Sequence, residues 1–192
     1  MTQGPSLQAV LNSSQLVLTE GAVIERIRRE SPLPLHPSVL NAGFIYSPVG
    51  REVLGGIYRQ YLQAALDTGL PMLILSPTWR AGPDRLAEAG LSARDVNGDA
   101  VKFLLALKEE FTQAGARVLV GGLMGCRGDA YEPGEGMERE AAARYHEAQA
   151  KALAAAGADF LLASTLPALP EAAGMGAAMS RAGVPYILSF VI

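Results

Sequence analysis

The sequence predicts an α/β protein whose strands run parallel and are joined by helical crossovers. Two observations carry this expectation. Short apolar runs alternate with longer segments of helical periodicity. The short runs are apolar throughout, as in a sheet buried on both faces. Five such units fit either an open doubly wound sheet or part of a (β/α)8 barrel, and periodicity alone does not choose between them.

Residues 15–19 (QLVLT) read as the first strand, ended by Glu20-Gly21. Residues 22–30 suit a short helix, and 31–49, rich in Pro and Ser, a loop. From 51 to 66 the apolar positions Val53, Leu54, Ile57, Tyr58, Tyr61, Leu62 and Ala65 form a helical stripe, stopped at Asp67-Thr68-Gly69. Residues 71–75 (PMLIL) are the second strand. A short helix over 83–89 and a longer one over 97–113 follow, closed by Gly115. Residues 117–120 (RVLV) are the third strand, ended by Gly121-Gly122. An Ala-rich helix over 137–155 leads to a fourth strand at 160–163. A helix over 170–182 leads to a fifth at 185–192 (PYILSFVI). A chain stopping on an apolar strand implies either a missing C-terminal part or an oligomer that covers the edge.

Composition narrows the function. The 192 residues are 49 % hydrophobic and 18 % charged, which excludes disorder. Sixteen Lys+Arg against 19 Asp+Glu give a net charge of −3, which argues against nucleic-acid binding. One cysteine excludes a disulfide framework and any multi-cysteine zinc module within this chain. No apolar run is long enough for a membrane span, and the start of the chain lacks a signal-peptide pattern, so the expected setting is cytoplasmic.

In both α/β architectures ligands bind at the C-terminal ends of the strands. The residues there are Thr19, Glu20 and Gly21; Ser76 to Arg80; the Gly-rich run from Gly121 to Tyr131; Ser164 to Pro167; and Ser189. They suit a mouth for a small polar molecule. Glu20, a carboxylate beside glycine, can hold an amine or act as a base. Cys126 lies in a Gly-rich loop beside Arg127, with no histidine near it in sequence. His146 reads as a structural histidine, and His36, His146 and Cys126 make no metal spacing. Asp159 precedes its strand, where a role in stability is expected. Glu171 opens a helix, where the dipole favours it. No GxGxxG opens a helix and no GxxxxGK[ST] occurs.

Six segments, in order, resemble the homocysteine S-methyltransferase family: LVLTEG, IYRQYLQAALDTG, ILSPTWRAG, VGGLMGCRGDAY, the stretch YHEAQAKALAAAGADFLLASTLPALPEA, and VPYILSFVI. The resemblance spans residues 15–192. It implies a TIM-type (β/α) barrel of which about five of eight units are present, in one apparently incomplete domain. It also implies methyl transfer to the thiol of homocysteine or a related small substrate, from a separate methyl donor, as in methionine biosynthesis. It implies zinc, held in that family by three cysteines on the sixth and eighth strands; Cys126 matches none of them. The implied substrate-binding positions are Glu20, Gly21, Thr78, Ser164 and Thr165. Glu20 stands where the family has Asp, and Ser164 where it has the Glu that holds the substrate amine. Losing that carboxylate removes a charge-assisted bond of about 1.5–3 kcal/mol. Two alternatives follow: a zinc-independent barrel enzyme on another small polar substrate, or a non-catalytic degenerate barrel.

Overall fold

Five parallel strands pair in the order in which they occur in the chain: β1 (Leu18–Thr19), β2 (Met72–Leu75), β3 (Val118–Met124), β4 (Phe160–Leu166) and β5 (Tyr186–Phe190). This sequential order separates the two architectures left open by periodicity. A doubly wound sheet reverses its strand order, whereas a barrel adds each strand beside the last. The computed structural model describes residues 6–13 and 16–191. The helices are α1 (Leu7–Ser13), α2 (Val23–Glu30), α3 (Pro48–Thr68), α4 (Pro83–Glu88), α5 (Val96–Thr112), α6 (Arg139–Ala155) and α7 (Leu169–Arg181).

Successive strand residues face opposite sides and enter two separate cores. Met72, Ile74, Val118, Val120, Leu161 and Ala163 pack with the crossover helices. Leu73, Leu75, Leu119, Phe160, Leu162 and Ile187 pack on the other face, the interior of the half-barrel. Leu7 and Val10 of α1 join that inner cluster. Sequence periodicity did not foresee α1, whose seven residues offer barely two turns of pattern.

Local chemistry explains the helix limits. Ser47 caps α3 by accepting from the Gly50 N–H at 3.0 Å, Pro48 opens the helix, and Gly69 closes it in the left-handed region (φ 67°). Asp95 caps α5 in the same way through the Gly98 N–H at 3.0 Å. The helix expected from 51 therefore starts at Pro48. The segment expected as a loop carries a 3-10 turn at Ala42–Tyr46.

The strands also depart from expectation. β1 holds only Leu18 and Thr19; Gln15 lies outside the described residues, as does Ile192 at the far end. β3 does not stop at Gly121-Gly122 but runs through both to Met124. These glycines are packing positions, not turn positions. A Cβ on Gly121 would stand 2.5 Å from the Leu75 and Phe160 side chains of the inner face. One on Gly122 would stand 2.8 Å from Leu153 and Leu161 of the outer face. β4 likewise runs past Ala163, with a bulge between Ala163 and Leu166, so Ser164 and Thr165 lie within the strand rather than after it. Asp159 has the expected structural role: its Oδ2 accepts from the Val120 N–H at 2.8 Å and from Lys108 Nζ at 2.9 Å.

Helices α6 and α7 touch through Gly174, where a Cβ would run into the Arg139 carbonyl, Ala142 and Ala143. Gly174→Ala is expected to destabilise the protein by about 2 kcal/mol, the cost of overpacking against backbone. Gly56→Ala, on the exposed face of α3 with nothing within 4 Å, is expected to stabilise it by about 0.5–1 kcal/mol. Paired denaturant titrations check both. Equal effects at the two positions would contradict the close helix contact.

Candidate functional site

At the C-terminal ends of the strands lies a cavity of about 580 Å³. Its floor and walls come from four connections. The turn after β1 gives Glu20 and Ala22, and β2 ends in Leu75, Ser76 and Pro77. Trp79 and Leu123 form one wall, and Ser164 and Thr165 of the β4 bulge another. Asn41, Tyr58 of α3, and Glu25 and Arg28 of α2 complete it, with the exposed Tyr131 at the rim.

Glu20 extends a strand that is too short. The Glu20 N–H still donates to the Leu73 carbonyl at 3.3 Å, but beyond it the main chain turns away and the Glu20 carboxylate takes the place of a ladder carbonyl. Its Oε2 accepts from the Leu75 N–H at 2.8 Å. The Leu75 carbonyl accepts from the buried Tyr58 hydroxyl at 2.7 Å. Burial pushes the Glu20 carboxyl up to about 8, against the lowering effect of that N–H and of its own main-chain N–H. At neutral pH it is mostly protonated, and an arriving ammonium would draw it into the ionised form.

The second and third strand ends are tied by a closed ring of hydrogen bonds. The Leu123 N–H donates to Ser76 Oγ at 3.0 Å, and Thr78 Oγ1 donates to the Leu123 carbonyl at 2.7 Å. Ser76 Oγ and Thr78 Oγ1 are 2.7 Å apart, with Ser76 left as the donor. Thr78 is fully buried and its hydroxyl is spent on this ring, so it lies behind the cavity wall. Gly21 sits at the mouth between two lining residues; its carbonyl accepts from the Tyr61 hydroxyl at 2.6 Å. Of the five positions implied by the resemblance, Glu20, Ser164 and Thr165 line one cavity; Thr78 and Gly21 flank it.

Trp79 closes one side. Its Nε1 donates to the Ser164 carbonyl at 3.3 Å, and Gly125 leaves room for the indole. Arg80 stacks on the Trp79 ring, with its guanidinium carbon 4.6 Å from the ring centre, and donates to the Gly128 carbonyl at 2.6 Å.

Three non-glycine residues have positive φ among those described: Ala22 (50°), Leu40 (52°) and Thr165 (57°). All three line this cavity. The left-handed region is costly for such residues, and strain of this kind gathers at functional sites.

Sequence reasoning missed Asn41, Tyr58 and Arg28 as lining residues. Tyr58 read only as one member of a helical stripe. Asn41 lay in a long Pro- and Ser-rich segment whose length was itself the available signal.

The Gly-rich segment after β3 is held by a buried carboxylate. Glu171 Oε1 accepts from the Arg127 N–H at 2.8 Å and meets His146 Nε2 at 3.0 Å; Oε2 accepts from the Met137 N–H at 3.2 Å. Burial would raise the Glu171 carboxyl, but these donors outweigh it and hold it below the usual range. Glu171 does lie in the first turn of its helix, yet its work is to clamp both ends of the 127–137 segment. His146 is structural as expected, though its Nδ1 has no hydrogen-bond partner.

Among the described residues no group of three or more His, Cys, Asp or Glu is placed to hold a metal. Cys126 is buried, and burial together with nearby Glu171 pushes its thiol up, away from thiolate character. The residues present do not fit the zinc that the resemblance implies. No helix among the described residues is long and apolar enough to cross a membrane.

The chain matches the profile of the homocysteine S-methyltransferase family over residues 16–192. No curated protein matches it. Among solved structures it is similar to the homocysteine methyltransferase MmuM from Escherichia coli. Against the metallated form the TM-score is 0.77 at 23 % identity, covering 97 % of this chain and 66 % of that one. Against the oxidized form it is 0.78 at 22 % identity, covering 99 % and 66 %. The likeness establishes the fold: a curled, partial TIM-type barrel of five units. The chain spans about two thirds of the length of those proteins.

The Glu20 carboxyl sits at about 8 in the folded protein against an ordinary 4.5, so the folded state keeps this proton to higher pH. Its contribution to stability is full below the ordinary value and is lost as pH rises towards 8. Glu20→Gln is expected to lose less stability than the native chain between pH 4.5 and about pH 8, by about 3–5 kcal/mol at about 1.4 kcal/mol per pH unit, or roughly ten degrees in Tm. Thermal melts across that range decide it. Parallel curves would mean that Glu20 is not the titrating group.

Proposed function

The chain belongs to the homocysteine S-methyltransferase family, and on that premise we propose that its cavity binds a small amino thiol, homocysteine or a close relative, for methylation at sulfur. The observation that carries the reading is the meeting of Glu20, Ser164 and Thr165 in one cavity at the strand ends, within the segment that matches the family. The reaction class moves a methyl group from a donor, a sulfonium or ammonium, to the thiol sulfur. The sulfur lone pair forms the new bond, the donor keeps the pair from the broken one, and the thiol proton leaves.

These residues supply binding and orientation. Glu20 offers its carboxyl to the substrate ammonium, and the ion pair stabilises the ionised form in a partly dry site. Ser164 gives a hydroxyl where a second carboxylate would double that attraction. The substrate amine is therefore held by one charge instead of two. The reading carries with it a methyl donor as second small-molecule partner and a cytoplasmic setting.

The test is thiol methylation with a panel of sulfonium and ammonium donors. Transfer to homocysteine or a related amino thiol is expected. Glu20→Gln should raise KM for the amino thiol by about 10- to 100-fold, the loss of one charge-assisted bond. Ser164→Glu should lower it. Absence of transfer to every thiol, with the fold intact, would overturn the reading in favour of a barrel enzyme acting on another small polar substrate.

A further inference from the structure

One polar side chain of the cavity combines near-complete burial with the lack of a hydrogen-bond partner among the described residues. Asn41 is 3 % exposed and lines the cavity, yet among the described residues nothing hydrogen-bonds its carboxamide. Neither amide atom is sealed inside the protein, since His146 Nδ1 is the enclosed unpartnered atom among the described residues; the carboxamide opens onto the cavity, where a ligand can bond it. The residue is firmly placed. Its backbone carbonyl accepts from the Phe44 N–H at 3.1 Å, at the start of the 3-10 turn, and Leu40 before it holds the left-handed conformation.

A second feature meets it at the same wall. Ala22, Val23 and Ile24, the start of α2, line the cavity. Ala22 provides no side-chain cap. The first helical bond runs from the Arg26 N–H to the Ala22 carbonyl at 3.0 Å, which leaves the N–H groups of Val23, Ile24 and Glu25 without helical acceptors. The positive end of the α2 dipole thus faces the cavity. Glu25 in that first turn is ion-paired with Arg28, which offsets its charge.

We propose that Asn41 is a specificity-determining residue that, with the uncapped N-terminus of α2, binds the carboxylate of the small molecule the cavity takes. The carboxamide N–H₂ donates to one carboxylate oxygen, and the α2 N–H groups serve the other. Glu20, on the turn just before α2, is left for the ammonium. The proposal deepens the amino-thiol reading by naming what selects an amino acid over a simple amine. It depends on that reading only for the identity of the thiol.

The test uses the full chain and three probes followed by calorimetry: L-homocysteine, 3-aminopropanethiol (the same molecule without its carboxylate) and L-2-aminobutyrate (carboxylate and amine without thiol). Asn41→Asp places a carboxylate against a carboxylate, and Asn41→Leu removes the donor at similar volume. Asn41→Asp is expected to weaken homocysteine and 2-aminobutyrate by about tenfold or more and Asn41→Leu by several-fold. Binding of 3-aminopropanethiol should change less than about twofold, which also shows that the variants are folded. Equal losses for all three probes, no loss for any, or no binding of any probe by the native chain would overturn the proposal. If 2-aminobutyrate depends on Asn41 but no thiol is ever methylated, the carboxylate site stands and the methyl-transfer reading falls.

Discussion

A parallel sheet whose strands follow chain order obliges every connection to cross on the same side. The helices α2 to α7 then cover one face of the sheet, and the other face must be filled by the strands' own side chains and by whatever caps the barrel interior. The two separate apolar clusters are the direct consequence. So is the use of glycine inside β3. The central strand is crowded from both faces at once, by Leu75 and Phe160 within and by Leu153 and Leu161 without. Only residues without a side chain let its neighbours close. The same winding gathers all five strand ends at one rim, which is why a single cavity collects residues from distant parts of the chain.

The rim is finished by side chains rather than by ladder bonds. Glu20 accepts the Leu75 N–H that a longer β1 would have taken, Tyr58 donates to the Leu75 carbonyl, and Ser76, Thr78 and Leu123 close a ring of their own. Each substitution of side chain for backbone ends regular structure and leaves a concave surface. The left-handed backbone at Ala22, Leu40 and Thr165 belongs to the same device. Three strained positions, two in loops and one in the β4 bulge, converge on one cavity, so the strain marks where packing regularity yields to a concave surface.

The fold was legible in the sequence because its signals are redundant. Uniformly apolar strands, helical stripes and caps such as Ser47 and Gly69 all point the same way. What was illegible had a physical reason in each case. Gly121 and Gly122 carry no local mark that separates a strand kept open for its neighbours from a turn. The bulge at Ser164 and Thr165 depends on register with β5, which is a long-range property. At the site, Glu20 could be singled out because a carboxylate beside glycine at a strand end can hold an amine or act as a base. Asn41 could not, because its significance lies in a missing partner, and a missing partner is visible only in three dimensions.

Two carboxylates near the rim show how different supplies of donors yield opposite roles. Glu171 faces the N–H groups of Arg127 and Met137 and the His146 ring, and its carboxyl is held below the usual range. Its hydrogen-bonding capacity is spent inside the protein, so it serves to fix the segment after β3. Glu20 has the Leu75 N–H and its own main-chain N–H to offset its burial, and its carboxyl still stands far above the ordinary value. One of its oxygens remains uncommitted beside an open cavity. A buried acid fully supplied with donors from its surroundings is already at rest, whereas one that takes a single donor from another residue gains most when a cation arrives. The number of N–H groups that the fold aims at each acid, rather than depth alone, separates the structural carboxylate from the one free to answer a ligand.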